Sequence, residues 1–142
     1  MWVQRTITFE PQPRGIHLVT DEVLGELPEL VDFEVGILHL LIQHTSASLT
    51  LNENVSPEVR ADLDAWLDQA VPEGASFWTH TLEGDDDMPA HVKAALMGPS
   101  LTLPLRGGRP VLGSWQGIYL CEHRDRGGPR SVVATAFGEG SG

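Results

Sequence analysis

The sequence is poor in three features, each of which would identify a class of protein. Its 142 residues contain one cysteine, which excludes an internal disulfide framework and a CxxC metal site. Nine lysines and arginines oppose twenty acids, and a net charge of −11 excludes general attraction to nucleic acid or an anionic membrane. There is no apolar run long enough to cross a bilayer, and the first residues lack the cationic and apolar parts of a signal peptide. We therefore expect a cytoplasmic protein without nucleic-acid or membrane partners.

Length and patterning favour one α+β domain. Domains hold roughly 100–200 residues, and a chain with 41% hydrophobic and 20% charged residues has a globular composition. Strand patterns outnumber helical patterns, and the helices fall mid-chain. This predicts a compact single domain over residues 1–142, with packed mixed or antiparallel β-sheets and two to three helices. We expect residues 138–142 to form a flexible tail.

Local signals predict the elements. Residues 36–43 form the most apolar run, with only His39 and Gln43 polar, which predicts a strand buried on both faces. Other strands are predicted at 2–9, 15–19, 46–51, 101–105, 111–112, 116–123 and 131–137, with 77–82 extended. Helices are predicted at 56–70 and 89–97, each with proline at its first position, and a short one follows Thr20. In the first of these helices, a predicted core-facing stripe contains Val59, Leu63, Trp66, Leu67 and Ala70.

The first candidate for chemistry is the polar segment after the most apolar strand. His44, Thr45 and Ser46 stand where a rigid strand can present polar side chains at the edge of the core. His44 fits a metal ligand or a proton carrier. The alternative is a strand cap followed by a turn. A serine nucleophile is disfavoured because no GxSxG elbow is present.

The second candidate lies at the start of the helix predicted from Pro89. Residues 80–91 contain His80, His91 and four acids, among them Asp87. The positive end of the helix dipole favours the neutral imidazole of His91, which is the metal-binding and proton-accepting form. A neighbouring carboxylate could fix its tautomer. The alternative for Asp85, Asp86 and Asp87 is a solvated acidic helix start.

The third candidate is the segment from Cys121 to Arg124, together with the arginines near it. Glu122 and His123 are adjacent in a predicted strand, so they should point to opposite faces. Cys121 fits an inert core thiol. An arginine cluster, containing Arg106, Arg109, Arg124, Arg126 and Arg130, could hold a small anion or could instead pair with acids.

Three long motifs, in register and in order, resemble one known family. They are the segments 36–54, 83–93 and 113–120, which read GILHLLIQHTSASLTLNEN, EGDDDMPAHVK and GSWQGIYL. The chain is similar to the YjbQ family, also called the secondary thiamine-phosphate synthase family, from Met1 to about Glu139. Ser114 stands where threonine is common in the family, and Cys121 where a small residue is common.

The resemblance implies an α+β fold, a homotrimer and a histidine-rich site able to hold a metal or an anion. It also implies a weak, secondary thiamine-phosphate synthase activity, which joins a hydroxymethylpyrimidine pyrophosphate to a thiazole phosphate and releases pyrophosphate. The expected cofactor is a divalent metal, zinc or magnesium, and the expected partner is a phosphorylated small molecule. Two alternatives remain open, a non-catalytic trimeric metal- or ligand-binding protein and a metal-assisted hydrolase of a phosphorylated metabolite.

Matching the motifs residue by residue implies roles for three histidines and one aspartate. His44, His80 and His91 are the expected metal ligands. His44, Asp87 and His91 are the expected catalytic residues. Contacts to the substrate or to an anion are expected from Ser46, Asn52, Glu122, Arg124 and Arg130.

Overall fold

The computed structural model describes residues 1–140, in which the chain forms eight strands and three α-helices. A short 3-10 helix, Pro28–Asp32, precedes the third strand. The strands are β1 Trp2–Phe9, β2 Gly15–Leu18, β3 Phe33–Ile42, β4 Ala47–Glu53, β5 Ser100–Arg106, β6 Arg109–Pro110, β7 Gln116–Glu122 and β8 Arg130–Gly140. The helices are α1 Thr20–Gly25, α2 Pro57–Ala70 and α3 Asp87–Met97. The α+β class and the single compact domain are confirmed.

The strands form two sheets, and each strand pair within residues 1–140 is antiparallel. The larger sheet has the order β1-β8-β3-β5-β6, and the smaller one has the order β2-β7-β4. The main core lies between them, where Leu38 and Leu40 of β3 pack in one cluster with Leu49 of β4 and Leu120 of β7. Two facing antiparallel sheets thus form the body of the domain.

The smaller sheet is the middle layer of the molecule. Its outer face forms a second apolar cluster with α2, in which Ile16, Tyr119 and Cys121 meet Leu67. Consequently β7, the central strand of this sheet, is buried from Gly117 to Glu122. Burial raises the pKa of the Cys121 thiol to about 12, as expected for an inert core cysteine.

The prediction that β3 is buried on both faces is wrong. Leu38, Leu40 and Ile42 face the core, whereas Ile37 and Leu41 lie on the outer face and are 46% and 40% exposed. Within the described residues nothing covers that face, so β3 alternates like any strand with one buried side. The strand buried on both sides is β7 instead.

Other predicted elements need smaller corrections. In α2 only Leu67 of the expected stripe is buried, and Trp66 is 61% exposed. Residues 77–82, expected to be extended, form no strand, and only the first and last of them lie in turns. The strand expected at 111–112 is instead the short β6. The tail expected at 138–142 is strand up to Gly140, and residues 141 and 142 lie outside the described residues. No helix of residues 1–140 is long and apolar enough to cross a membrane.

Candidate metal and anion site

The site is assembled from three segments that are far apart in the sequence. These are the turn between β3 and β4, the start of α3 with the loop before it, and the loop between β7 and β8. Helix α3 begins at Asp87, two residues earlier than predicted, so that Asp87 and His91 lie one turn apart on the same helix face. His80 reaches the same place from the preceding loop.

The buried carboxylate of Asp87 is the centre of the site. Its Oδ2 is 2.6 Å from His80 Nε2 and 3.2 Å from His91 Nε2, and its Oδ1 accepts a 2.6 Å hydrogen bond from Arg124 Nη1. Burial alone would raise the pKa of Asp87. The hydrogen bond from His80, with the charges of Arg124 and the histidines, outweighs burial and holds that pKa below its usual range. Asp87 is therefore ionised at neutral pH.

The tautomer of His91 follows from its partners. Nδ1 lies 2.9 Å from the carbonyl oxygen of Thr45, which can only accept, so Nδ1 carries a proton. In the neutral ring, Nε2 then presents a lone pair toward the ionised Asp87 Oδ2. Two lone pairs that face each other at 3.2 Å need a positive centre between them, either a proton on the ring or a metal ion.

The donor set fits a divalent metal. One ligand atom each from His80, Asp87 and His91 lies within 4.8 Å of the others. Two ligands of one tetrahedral zinc, each about 2.0–2.2 Å from the ion, lie about 3.3–3.5 Å apart, close to the spacing of His91 Nε2 and Asp87 Oδ2. His80 Nε2 and Asp87 Oδ2 lie 2.6 Å apart, a hydrogen-bond distance, so a metal would replace the proton between them. Thr45 holds the far nitrogen of His91, and Arg124 holds the far oxygen of Asp87, an arrangement common behind metal ligands.

Arg124 is bound to acids. Besides Asp87, its Nε donates to Asp86 Oδ2 at 3.0 Å and its Nη2 donates to the carbonyl of Glu83. Burial would raise the pKa of Asp86, but hydrogen bonds from the Asp125 amide and from Arg124 lower it overall. Of the three adjacent aspartates, only Asp85 is exposed. The guanidinium expected to meet substrate phosphate thus neutralises the site's own carboxylates.

His44 lies beside the site and does not belong to the donor group of His80, Asp87 and His91. Its Nε2 accepts a 2.8 Å hydrogen bond from the backbone N–H of Ser131. Burial, and after it the charge of Arg130, lowers the pKa of His44. Because a backbone N–H can only donate, His44 Nε2 must keep its lone pair and the ring must stay neutral.

Glu122, Arg130 and Ser46 form a buried network behind His44. Both Glu122 oxygens accept from Arg130, at 2.7 Å from Nε and 2.5 Å from Nη2. Arg130 Nη2 also donates to the carbonyl and hydroxyl of Ser46, and Glu122 Oε2 accepts from the Arg124 amide. Glu122 is 1% exposed and Arg130 is 4% exposed, so both charges are occupied inside the protein.

Asn52, the remaining expected contact, lies elsewhere. It pairs with Gly117, whereas Ala47, which follows Ser46, pairs with Glu122. Five residues of strand separate Asn52 from Ala47, which amounts to about 17 Å. Its Oδ1 accepts from the Glu53 amide.

A cavity of about 250 Å³ opens beside His91, one of the three candidate metal ligands. His44 and His91 supply its polar side, and the other lining residues are small, mainly the three alanines Ala47, Ala94 and Ala95 with Thr45 and Pro99. Ala94 and Ala95 follow His91 by three and four residues, so they share its helix face. The pocket therefore joins a cluster of polar nitrogens to an apolar wall.

Some contributors to the site could not be identified from residue types. The carbonyl of Thr45 and the amide of Ser131 are backbone groups, and every residue carries them. Sequence reasoning also missed the buried Ser48–His123 pair, 2.8 Å apart, and the contact between buried Lys93 and exposed Asp68, 2.6 Å apart. The adjacency of Glu122 and His123 was the one available signal, and they do bond to different partners.

Comparison with known proteins agrees with the motifs. A family model described as UPF0047 protein YjbQ-like matches residues 5–139. The chain is 55% identical over 139 residues to the UPF0047 protein YjbQ of Salmonella typhimurium, covering 98% of this chain and 100% of that protein. It is 50% identical, with the same coverage, to the UPF0047 protein YjbQ of Escherichia coli O157:H7.

Solved structures share the fold. A hypothetical protein from Aeropyrum pernix K1 has a TM-score of 0.85 at 28% identity, covering 96% of this chain and 99% of that one. A YbjQ-like protein of unknown function from Sulfolobus solfataricus P2 has a TM-score of 0.84 at 24% identity, covering 98% and 99%. The two-sheet architecture is thus common to proteins from distant organisms.

Proposed function

Because the chain belongs to the YjbQ-like UPF0047 family, we propose that it is a transferase with secondary thiamine-phosphate synthase activity, which acts beside the donors His80, Asp87 and His91. In that reaction a thiazole phosphate displaces pyrophosphate from a hydroxymethylpyrimidine pyrophosphate. A carbon–nitrogen bond forms, the carbon–oxygen bond to pyrophosphate breaks, and its electron pair leaves with pyrophosphate.

One observation carries the proposal. His91 Nε2 and the ionised Asp87 Oδ2 face each other at 3.2 Å, next to a cavity with an apolar wall. A divalent metal held by His80, Asp87 and His91 would supply positive charge to the phosphate oxygens. Such charge would offset the repulsion between pyrophosphate and a protein of net charge −11. The chain's own residues hold these donors in place: Thr45 orients His91, and Arg124 orients Asp87.

Turnover tests the proposal directly. We expect purified protein with zinc or magnesium to form thiamine phosphate, and His91→Ala to lose at least 90% of that rate. His17→Ala is the matched control, because His17 lies in β2 of the smaller sheet and contacts the carbonyl of Pro13, away from the three donors. Equal rates in wild type and His91→Ala, or no product from wild type, would reject synthase activity at this site.

Metal binding is tested separately by zinc titration calorimetry. Asp87→Asn removes the carboxylate that contacts both histidines, so zinc affinity should fall at least tenfold. Asp85→Asn removes an equal charge from an exposed side chain two residues before Asp87, and zinc affinity should stay within twofold of wild type. Equal losses in both variants would mean that general negative charge, not this site, attracts the ion.

A specific observation favours a second candidate, a trimeric metal- or ligand-binding protein without catalysis. The outer face of the larger sheet carries Trp2, Val35, Ile37 and Phe137, each at least 46% exposed, which is typical of an association surface. In this case chelation lowers the melting temperature or dissociates the trimer. Chelation that abolishes turnover, with melting temperature and mass unchanged, favours the enzyme.

A further inference from the structure

We propose that the cavity beside α3 binds a small phosphate ester, with His44 donating from its Nδ1–H to a phosphate oxygen and not acting as a metal ligand. The ester's apolar part, about one ring in size, lies against Ala94, Ala95 and Pro99. This assignment deepens the proposed function and rests on it for the class of substrate, but its chemistry comes from the hydrogen bonds of His44.

The first step is the tautomer of His44. The Ser131 amide donates to Nε2 at 2.8 Å, which fixes the lone pair there and places the ring proton on Nδ1. A metal ligand must offer a lone pair, and the only lone pair of this ring is already used by Ser131. His91 is the opposite case, since its Nδ1–H is bound to Thr45 and its Nε2 is the free acceptor.

The second step is the freedom of the His44 N–H. Within residues 1–140, His44 Nδ1 has no hydrogen-bond partner, and this atom is not fully buried. His44 lines the cavity, so this donor is accessible to a molecule bound there. The ring itself is held rigidly, because the Ser131 amide belongs to β8 and the adjacent Gln43 amide donates to the Ser131 carbonyl. A fixed N–H suits an anionic oxygen.

The third step is size. A cavity of about 250 Å³ is smaller than most pockets for whole drug-sized ligands, so it accommodates only part of a larger substrate. Its walls are alanine methyl groups and a proline ring, which favour a flat apolar group over a sugar. A phosphate at His44 and a ring against Ala94 would fill it.

Imidazole nitrogen spectra of the wild-type protein test the tautomer without any substitution. Long-range proton–nitrogen correlation should show His44 protonated at Nδ1 and unprotonated at Nε2. Inorganic phosphate should shift the His44 nitrogens, whereas zinc, added separately, should shift those of His80 and His91 and leave His44 in place. An Nε2-protonated His44, or a His44 that zinc shifts as strongly as His91, overturns the assignment.

Two His44 variants provide a matched pair. The amide nitrogen of asparagine overlays Nδ1, and the amide group of glutamine overlays Nε2. We therefore expect His44→Asn to bind inorganic phosphate within about threefold of wild type. His44→Gln can still accept from Ser131 but should bind phosphate about ten- to a hundredfold more weakly, as for a lost hydrogen bond to a charged group. Both should keep wild-type zinc affinity.

Several results contradict this expectation. Tenfold weaker zinc binding in both variants would make His44 a metal ligand, and equal phosphate affinity in His44→Gln and wild type would remove the donor role. Equal losses of phosphate binding in the two variants would also reject Nδ1 as the donor. None of these measurements uses turnover, so failure of the synthase activity and failure of this assignment are distinguishable.

The apolar wall is tested with phenyl phosphate. Wild type should bind it about tenfold more tightly than inorganic phosphate, because one ring face leaves water. Ala94→Leu fills the cavity and should remove this preference while inorganic phosphate affinity stays the same. Equal affinity of wild type for the two probes would contradict a ring site.

Discussion

At the scale of single residues, the most informative side chains are those whose partners fix a proton. His44 and His91 both lie at the cavity, yet Ser131 and Thr45 place their protons on the same ring atom, Nδ1, for opposite uses. One Nδ1–H is free toward the cavity and the other is tied to the backbone. The same residue type thus provides a donor and an acceptor side by side.

His123 is a third case, with a consequence for stability. Its Nε2 is 2.8 Å from the Ser48 hydroxyl, and burial, followed by the charges of Lys93 and Arg130, lowers its pKa to about 4. An unfolded histidine titrates near pH 6.5, so between pH 6.5 and 4 the unfolded chain binds a proton that the folded chain does not. The stability that neutral His123 contributes is therefore complete above pH 6.5 and is lost as the pH falls to 4.

We expect the loss from His123 to be about 3 kcal/mol in the free energy of unfolding. Urea unfolding of wild type and His123→Gln at pH 7 and pH 4.5 measures it. Glutamine can keep the hydrogen bond to Ser48 without titrating, so the decrease between the two pH values should be about 2 kcal/mol smaller in the variant. Parallel decreases in both proteins would contradict the low pKa.

At the scale of elements, the loop between β7 and β8 owes its conformation to a buried ion pair. A Cβ added at Gly127 would overlap Glu122 Oε1 and Arg130 Nη2, both of which are buried. Glycine is required here because the backbone passes so close to the Glu122–Arg130 pair. That pair in turn holds Ser46 and the Arg124 amide, so the loop and the turn before β4 are coupled.

Gly127→Ala should destabilise the protein by about 1–3 kcal/mol through overpacking. It should also weaken zinc binding, because Glu122 binds the amide of Arg124 and the Arg124 side chain donates to Asp87. Gly25→Ala is the control, since nothing lies within 4 Å of its added Cβ, and its effect should stay within about 0.5 kcal/mol. Chemical denaturation of the three proteins measures their stability, and zinc titration calorimetry measures their affinity. Equal stability of Gly127→Ala and wild type would rule out the tight approach.

The sequence predicted the elements better than their environments. Periodicity identified β1 to the residue and placed α2 and α3, because local spacing and proline positions act within one turn or strand. Which face is covered depends on distant chain, and for that reason β3 was predicted buried on both sides and Trp66 was predicted buried. The motifs indicated Asp87 and His91, whereas the Thr45 carbonyl and the buried state of Arg130 depend on tertiary contacts.

At the scale of the whole molecule, the two faces of the larger sheet differ. Its inner face forms the core, and its outer face exposes the rings of Trp2 and Phe137, which are tilted by 34° with centroids 4.3 Å apart, beside Val35 and Ile37. A contiguous apolar patch on a chain with net charge −11 is suited to meeting an equally apolar surface. Self-association through this face is the proposal that follows.

Ile37→Lys should convert the proposed trimer to monomer, because a desolvated unpaired charge opposes packing at the centre of an interface. Light scattering after size-exclusion chromatography measures the mass. Val55→Lys changes an apolar residue just before α2 that is even more exposed than Ile37, and it should leave the mass unchanged. A monomeric wild type, or an unchanged mass for Ile37→Lys, would contradict association through this face.

The position of β8 also affects how the protein is made. It lies between β1 and β3 and pairs with both, yet it leaves the ribosome after each of the other seven described strands. Until residues 130–140 emerge, β1 has no partner and one edge of β3 is unpaired. Because His44 is bound by the amide of Ser131, the proposed anion site is also incomplete until then. Unpaired strand edges are the surfaces at which nascent chains aggregate, so the larger sheet keeps such edges until residues 130–140 have been made.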